Sequence, residues 1–227
     1  ERLGKDARKG ESVRIKRTKT VKAIPQKKVE HDYSWVKTDD PDFKRTMDLL
    51  LDSSGPNMCI MGCGGSGKST LLKMAYDKLP GTKIVTASTG VAAANLSLDG
   101  VPASTLHSAL RIGAKEWYDT NKIGKDSVKV LSLADVLFID EISMVTDSLM
   151  DYVLEIAKRA NLIRKKSGKS NVRIILFGDV CQLPPVVKED SEVFELYRQN
   201  YDGKIYFFNA QPLAGRCLCN DRTYSGP

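Results

Sequence analysis

A glycine-rich segment at 62–70 reads Gly-Cys-Gly-Gly-Ser-Gly-Lys-Ser-Thr and directly follows the short apolar run 58–61. A pattern typical of an apolar helix covers 68–79, so the glycines stand between an expected strand and an expected helix. Four glycines in six positions allow successive backbone N–H groups to turn inward, and the helix adds its positive N-terminal end. The segment therefore predicts a phosphate-binding loop inside an α/β unit.

The residue types in this loop suggest a role for each position. Lys68 can reach the β- and γ-phosphates of a nucleoside triphosphate, the Ser69 hydroxyl can ligate Mg²⁺, and Thr70 packs or caps the helix. A nucleoside triphosphate and Mg²⁺ are therefore the expected ligands. The predicted nucleotide-binding residues are Gly62, Gly64, Gly65, Ser66, Gly67, Lys68, Ser69 and Thr70. A glycine-rich turn that binds nothing is the alternative, and the flanking strand and helix disfavour it.

Apolar runs and helical patterns alternate along the rest of the chain. Most of the runs are continuously apolar, as in parallel strands that are buried on both faces. The predicted strands are 57–61, 82–87, 134–139, 172–177 and 204–208, and the predicted helices are 68–79, 89–97, 146–160, 191–200 and an amphipathic run that begins at Pro41. The alternation predicts a three-layer α/β fold with a mostly parallel central sheet and ligand chemistry at the carboxyl ends of the strands.

The net charge of +7 is unevenly distributed over the 227 residues. Residues 1–28 hold eleven Lys or Arg against three acidic residues, so the remainder of the chain is close to neutral. Because apolar periodicity is almost absent there, residues 1–38 are predicted to form a basic tail that is disordered or extended. The tail is either a solvated leader or a nucleic-acid-binding arm. Residues 39–210 are predicted to form the α/β domain, and 211–227 have no assignment.

Hydropathy and cysteine usage narrow the setting. No apolar run approaches the roughly 18 residues that a membrane span needs, so we expect no membrane partner. Five cysteines form an odd set without paired spacing, which fits a reducing compartment. Cys217 and Cys219 have no further ligands at metal-binding spacing, so we interpret them as free thiols.

Acidic and amide side chains follow two further predicted strands. The first of these strands delivers Asp140 and Glu141 to its end, where a carboxylate must emerge to meet a Mg²⁺ ion held by the loop serine. We expect Asp140 to ligate the metal and Glu141 to orient and deprotonate the attacking water. Gln182 lies beyond the other strand and can contact the γ-phosphate or its water. The predicted catalytic residues are Lys68, Asp140, Glu141 and Gln182, and the predicted metal ligands are Ser69 and Asp140. Taken alone, the acidic pair could be solvated and the segment around Gln182 a plain loop.

Small hydroxyl residues follow the second predicted strand. Ser88, Thr89 and Gly90 precede a helix, and Thr105 and His107 come shortly afterwards. Hydroxyl groups and a helix N-terminus are suited to contact with a phosphate backbone. From the residues alone, Ser88 is equally explained as a helix cap, and His107 as a structural histidine with satisfied hydrogen bonds.

Taken together, the motifs resemble those of one helicase family in order and spacing. They are the loop at 62–70, Thr-Ala-Ser-Thr-Gly-Val-Ala-Ala at 86–93, Thr-Leu-His-Ser at 105–108, Phe-Ile-Asp-Glu-Ile-Ser-Met at 138–144 and Phe-Gly-Asp-Val-Cys-Gln-Leu-Pro-Pro-Val at 177–186. This set resembles the petite-integration-frequency (PIF-type) DNA helicases, in the RecD-like branch of superfamily 1. The similarity covers about 57–187, which corresponds to the first RecA-like domain of that family.

The resemblance implies a function for each group of residues. It implies that the P-loop and acidic motifs bind ATP and Mg²⁺, and that Ser88, Thr89, Gly90, Thr105 and His107 touch single-stranded DNA. It further implies ATP-driven 5′-to-3′ translocation in DNA repair, recombination or telomere maintenance. The implied location is nuclear or mitochondrial in a eukaryote and cytoplasmic in a bacterium or virus.

Two departures from the family pattern limit what the resemblance implies. The family has an adenine-contacting glutamine in the helix before the P-loop, whereas residues 41–54 contain no glutamine. The residues after 187 are too few for a second RecA-like domain, which in the family closes the nucleotide cleft and supplies an arginine finger. We therefore expect a fragment whose partner is a second RecA-like domain, in the full-length protein or in trans.

Two other functions compete with the helicase motor domain. A non-catalytic module that binds nucleotide or single-stranded DNA would keep the loop but lack turnover. A small-molecule P-loop kinase would need an acceptor pocket and an arginine-bearing lid, and the acidic pair with the Gln-Leu-Pro-Pro segment argues against it.

Overall fold

The computed structural model describes residues 31–34, 36, 40–189 and 191–210. The predictions for residues 1–30 and for 211–227, including those for Cys217 and Cys219, lie outside the described residues. Within the described ranges, no helix combines the length and the apolarity that crossing a bilayer requires.

Five parallel strands form one sheet. They are β1 (Met58–Met61), β2 (Lys83–Ala87), β3 (Ala103–Thr105), β4 (Val136–Asp140) and β5 (Arg173–Gly178). Their order across the sheet is β1-β5-β4-β2-β3, and each neighbouring pair is parallel. The helices are α1 (Pro41–Leu51), α2 (Lys68–Lys78), α3 (Gly90–Leu98), α4 (Leu106–Ala109), α5 (Lys125–Ser132), α6 (Asp147–Lys166) and α7 (Glu192–Tyr201), with 3₁₀ turns at Ile142–Met144 and Phe207–Asn209.

Side chains that alternate along the central strands fill two separate cores. On β4, Leu137 and Ile139 pack with residues of α4, α5 and α6, whereas Val136 and Phe138 pack with residues of α1, α2 and α3. Strand β5 alternates in the same way, and helices therefore cover both faces of the sheet. The predicted three-layer α/β fold is confirmed.

One strand predicted from the sequence is wrong, and one strand of the structure was not predicted. The strand predicted at 204–208 is wrong, because this segment turns into the 3₁₀ helix at 207–209. Its aromatic residues serve packing instead: Phe207 is buried in the core beside α6, and Tyr206 stacks on Phe208 with ring centroids 5.2 Å apart. Strand β3 was missed because its three residues, Ala-Ser-Thr, form no apolar run.

Most helix starts carry a side-chain cap, and α2 is a functionally important exception. Asp40, Thr89, Thr146 and Ser191 each accept a hydrogen bond from a backbone N–H of the helix they begin. The residue before α2 is Gly67, which has no side chain to offer. The first N–H groups of α2 therefore remain available to an anion.

Buried Arg173, at the amino end of β5, fastens the end of α1 to the sheet. Its side chain lies on β5 and is 5% exposed. The guanidinium donates to the carbonyls of Leu49, Leu50, Asp52 and Pro56 at 2.6–2.9 Å. These carbonyls belong to the end of α1 and the following turn, where intrahelical partners are missing. One side chain thus satisfies the helix end directly before the P-loop strand.

We expect Arg173→Met to lower the free energy of unfolding by about 3 kcal/mol or more, because it leaves several buried carbonyls unpaired. The matched control is Arg159→Met, which removes a 40% exposed side chain paired with Glu155 one turn away. We expect less than about 1 kcal/mol there. Urea unfolding measures both, and equal losses would contradict the assigned role of Arg173.

Candidate nucleotide and nucleic-acid site

The carboxyl ends of all five strands lie side by side. In the register of the sheet, Met61 of β1 pairs with Gly178 of β5, and Ala87 of β2 pairs with both Asp140 of β4 and Thr105 of β3. Every site residue predicted from the sequence belongs to the ends of these strands or to the segments that follow them. The fold therefore brings the predicted residues to one edge, in an order set by the strands.

Two backbone hydrogen bonds extend the sheet beyond the strand ends. The N–H of Gly62 donates to the carbonyl of Gly178 at 3.1 Å, and the N–H of Ser88 donates to the carbonyl of Asp140 at 3.1 Å. The first bond joins the P-loop to the segment that leads to Gln182. The second joins the Ser88 segment to the acidic pair.

The glycines of the P-loop satisfy specific steric demands. Gly65 and Gly67 adopt φ values of 77° and 85°, in the left-handed region that L side chains rarely enter. At Gly62 a Cβ atom would stand 2.6 Å from Oγ of Ser66, which is too close. Gly64 meets neither constraint, since open space surrounds its Cβ position. The loop is exposed from Cys63 to Ser66, as a ligand cradle must be.

Lys68 is held over the P-loop by the loop itself. Its Nζ donates to the carbonyls of Gly62 and Cys63 at 2.7 and 2.9 Å. These bonds use two of the three N–H donors of the ammonium, so one is left for a phosphate oxygen. Ser69 is exposed on the first turn of α2, and Thr70 is half-buried beside it.

Asp140 presents a buried carboxylate at the end of β4. It is 7% exposed, and its Oδ1 accepts the N–H of Glu141 at 3.0 Å. Burial, with the nearby Glu141 charge, raises the pKa of Asp140 to about 6, while Lys68 acts in the opposite direction. The Asp140 carboxylate and the exposed Ser69 hydroxyl are both hard oxygen ligands of the kind that Mg²⁺ prefers. The chemistry of these two side chains is compatible with the predicted metal site.

Glu141 has a strained backbone. Its φ and ψ are 54° and 47°, a left-handed conformation that costs a non-glycine residue about 1–3 kcal/mol. It directly follows β4 and precedes the 3₁₀ turn Ile142–Met144. The turn lies close to β5, because a Cβ on Gly178 would stand 2.6 Å from Cγ2 of Ile142. Tight packing on one side and the strand on the other thus force this conformation on a half-buried carboxylate.

Gln182 stands on a turn built by Asp179. The carbonyl of Asp179 accepts the N–H of Gln182 at 3.1 Å, and its Oδ1 accepts the N–H of Cys181 at 2.9 Å. Asp179 is only 6% exposed, whereas Gln182 is exposed. Asp179 was not predicted as a site residue, and its position directly after an apolar strand and before a turn was the available clue.

Ser88, Thr89 and Gly90 leave the sheet at β2. Thr89, and not Ser88, caps α3: its side chain accepts the N–H of Ala92 at 3.2 Å, so the alternative of Ser88 as a cap is wrong. Ser88 Oγ is buried and has no hydrogen-bond partner within the part of the chain that the structure describes. Gly90 is exposed at the first turn of α3. The segment thus places the exposed N-terminus of α3 at the edge, with the Ser88 hydroxyl buried beneath it.

Thr105 and His107 follow at β3, the outermost strand. Thr105 caps α4 by accepting the N–H of Ser108 at 3.3 Å. His107 Nε2 lies 2.6 Å from the hydroxyl of Tyr118, and burial lowers the pKa of this half-buried histidine. The contact between His107 and Tyr118 was not predicted from the sequence, since Tyr118 lies in a loop without a recognisable motif. Trp117, next to it, packs edge-on against Tyr197 at 5.2 Å.

The strand order divides the edge into two halves. The P-loop, the Gln182 turn and the acidic pair follow β1, β5 and β4, whereas Ser88 and His107 follow β2 and β3. With strands about 4.8 Å apart, the outer strands are separated by about 19 Å. The segments predicted to bind phosphate and the hydroxyl-bearing segments therefore meet at one place, where β4 lies beside β2.

Fold and site together define a P-loop nucleotide-binding domain of the RecA-like type. Residues 39–197, well over half of the chain, match the family described as PIF1-like helicase. The chain belongs to this PIF1-like helicase family.

Curated relatives agree with this assignment. The chain is 39% identical over 145 residues to the ATP-dependent DNA helicase PIF1 of Candida albicans, covering 60% of this chain and 15% of that protein. It is 36% identical over 158 residues to the ATP-dependent DNA helicase RRM3 of Saccharomyces cerevisiae, covering 65% of this chain and 21% of that protein. The chain thus spans about a fifth or less of the length of these relatives.

A solved structure of similar fold is Bacteroides Pif1 in complex with ADP-AlF3 and ssDNA. It matches with a TM-score of 0.60 and 32% identity over 75% of this chain and 38% of that chain. Bacteroides Pif1 bound to ssDNA gives a TM-score of 0.59 at 31% identity, covering 76% of this chain and 38% of that chain.

Because the backbone at Glu141 is left-handed, glycine should be more stabilising than alanine at this position, the reverse of their order in a helix. We expect Glu141→Gly to be more stable than Glu141→Ala by about 1 kcal/mol, because only the alanine carries a Cβ into the left-handed region. Both variants lose the carboxylate, so the difference between their free energies of unfolding reports the backbone strain alone. Urea unfolding measures this difference.

The control pair for this comparison lies in the middle of α6. Lys158→Gly should be less stable than Lys158→Ala by about 1 kcal/mol, as in an ordinary exposed helix. The same order at both positions would contradict strain at Glu141.

Proposed function

We propose that this chain is the motor domain of an ATP-dependent DNA helicase, which couples ATP hydrolysis to movement along single-stranded DNA. The observation that carries the proposal is the arrangement of the sheet edge. The P-loop and the acidic pair lie at one half, the hydroxyl-bearing segments lie at the other, and hydrogen bonds to strand-end carbonyls join neighbouring segments.

Similar proteins support both proposed ligands, ATP and single-stranded DNA. The Bacteroides Pif1 structure with ADP-AlF3 and ssDNA contains a nucleotide analogue and a single strand together. The curated relatives are named ATP-dependent DNA helicases. This chain spans only part of their length. We therefore propose helicase activity for a protein that contains this domain, and not for the domain alone.

At the nucleotide half, the free N–H groups of the P-loop and of α2 hold the phosphates, and Lys68 adds a charge. Ser69 and Asp140 would hold Mg²⁺, which would supply positive charge to neutralise and position the phosphates. Glu141 orients the attacking water and accepts its proton. Gln182 lies on the turn after β5, and the hydrogen bond between Gly62 and Gly178 joins this turn to the P-loop. Loss of the γ-phosphate can therefore change the position of Gln182.

At the other half, Ser88, Thr89, Gly90, Thr105 and His107 contact the sugar-phosphate backbone of a single strand. The Ser88–Asp140 backbone bond gives this half a direct link to the acidic pair. A shift of the acidic pair on hydrolysis would therefore move the Ser88 segment. Two sites joined by one rigid element are the minimum requirement for coupling.

A second RecA-like domain, in the same polypeptide or in trans, completes the proposed motor. In related P-loop enzymes an arginine finger contributes about 10³ to 10⁵ in rate. The 5′-to-3′ direction and a role in repair, recombination or telomere maintenance belong to the same proposal. We expect the 227-residue chain by itself to bind Mg-ATP, to hydrolyse it slowly and not to separate duplex strands.

The test measures Mg-ATP binding and phosphate release with and without a single-stranded oligonucleotide. We expect Lys68→Ala to weaken Mg-ATP binding by about 10-fold or more, because a charge-assisted phosphate contact is lost. Glu141→Gln should keep Mg-ATP affinity but lose DNA-stimulated turnover by about 100-fold or more, because the general base is gone.

Matched controls are Lys158→Ala and Glu195→Gln, which change the same residue types at exposed positions on α6 and α7. They should behave as the unaltered chain. Tight Mg-ATP binding without any turnover would instead favour a non-catalytic binding module. Transfer of phosphate to an added small molecule would favour a kinase.

A further inference from the structure

Tyr118 has a hydroxyl with two neighbours of different chemistry. The side chain is 5% exposed, between α4 and α6. Its oxygen accepts the backbone N–H of Lys115 at 3.1 Å and lies 2.6 Å from Nε2 of His107. The backbone N–H of Lys115 can only donate. Within the described residues no other acceptor lies within hydrogen-bonding distance of this hydroxyl, so its proton is directed to Nε2 of His107.

A donor at Nε2 determines where the imidazole carries its proton. The ring is half-buried, and burial lowers the pKa of His107, which favours the neutral form of the imidazole. A neutral imidazole that accepts at Nε2 must carry its proton on Nδ1. Nδ1 makes no hydrogen bond within the part of the chain that the structure describes. Among the described residues, the Nδ1–H of His107 is therefore a donor without a partner.

We propose that Tyr118 is a positioning residue that fixes His107 as the Nδ1–H tautomer, so that the ring donates from Nδ1 to a phosphate oxygen of the single strand. The proposal rests on the proposed function, since it takes His107 as a DNA contact. It adds a residue that no motif contains and a chemical form of the contact. His107 acts as a neutral, oriented donor and not as a cation.

The pair lines a cavity beside the site. His107 and Tyr118 bound this cavity of about 300 Å³ together with the Val186–Lys188 segment. Met144 and Leu149 add apolar lining, and Lys115 and Lys188 add two cations against the single acid Glu116. The only other aromatic ring in contact with Tyr118 among the described residues is that of Tyr152, at 5.7 Å.

Two consequences distinguish a fixed tautomer from ordinary packing. A neutral donor releases no counterion, so its loss lowers DNA affinity without changing the salt dependence of binding, unlike the loss of a lysine contact. In addition, the Tyr118 proton on Nε2 opposes protonation of the ring. Without that proton, the pKa of His107 should rise and DNA affinity should become dependent on pH between about 6 and 8.

The tautomer is measured by nitrogen-15 NMR of the histidine rings in the DNA-free chain. The chain contains two histidines, and His107→Asn assigns the signals. We expect a protonated Nδ1 and an unprotonated Nε2 in the unaltered chain, and a mixture of tautomers in Tyr118→Phe. A protonated Nε2 in the unaltered chain at pH 7.5 would overturn the proposal before any DNA is added.

The contact is measured by fluorescence anisotropy with a labelled oligo(dT) strand. We expect Tyr118→Phe to weaken binding by about 5-fold at pH 7.5 with an unchanged salt slope, and His107→Ala by about 10-fold. In the His107→Ala background, Tyr118→Phe should have no further effect. The matched control is Tyr152→Phe, which removes a hydroxyl that donates to the carbonyl of Lys122 at 3.1 Å in the same core. It should bind as the unaltered chain.

Each contrary result has its own meaning. Equal losses in Tyr118→Phe and Tyr152→Phe, or a full effect of Tyr118→Phe without His107, would overturn the positioning role while leaving the DNA contact in place. Unaltered binding by His107→Ala would overturn the DNA contact itself, whatever the tautomer. A loss by Tyr118→Phe that changes the salt slope would show that a cation was displaced, and would also count against the proposal.

Discussion

Hydrogen bonding between strand ends is the interaction on which the rest of this structure depends. The parallel ladder does not stop where the strands do, because Gly62 bonds to the carbonyl of Gly178 and Ser88 to that of Asp140. A loop attached in this way cannot move independently of its neighbour. The predicted phosphate loop, the Gln182 turn, the acidic pair and the Ser88 segment therefore derive their mutual positions from the sheet and not from contacts among their own side chains.

The cost of building this edge is concentrated at β4. Asp140 is desolvated enough for its pKa to rise to about 6, and Glu141 is held in a left-handed conformation. Both features are unfavourable for folding and are maintained by the buried strands on either side. Perturbed carboxylates and strained backbone are common at functional sites, so these features support the proposed role of the acidic pair.

Much of the fold could be predicted from the sequence, for a physical reason. Buried parallel strands are continuously apolar, so β1, β2, β4 and β5 were predictable. The glycines of the P-loop indicated a tight loop, and Gly65 and Gly67 indeed adopt backbone conformations that other residues rarely enter. The errors lie where these rules do not apply. The run at 204–208 is apolar because it packs beside α6, and β3 is a strand by pairing alone. Tyr118 could not be linked to His107, since only the tertiary fold brings a motif-free loop to that histidine.

We propose that one sheet edge holds nucleotide and metal at the ends of β1 and β4 and a single strand at the ends of β2 and β3. A crystal structure of this chain with Mg²⁺, ADP, aluminium fluoride and oligo(dT) would decide this. We expect Mg²⁺ bound by Ser69 and Asp140, and the strand passing Ser88 and His107. Metal bound away from Ser69 and Asp140, or a strand lying across the β1 half of the edge, would contradict it.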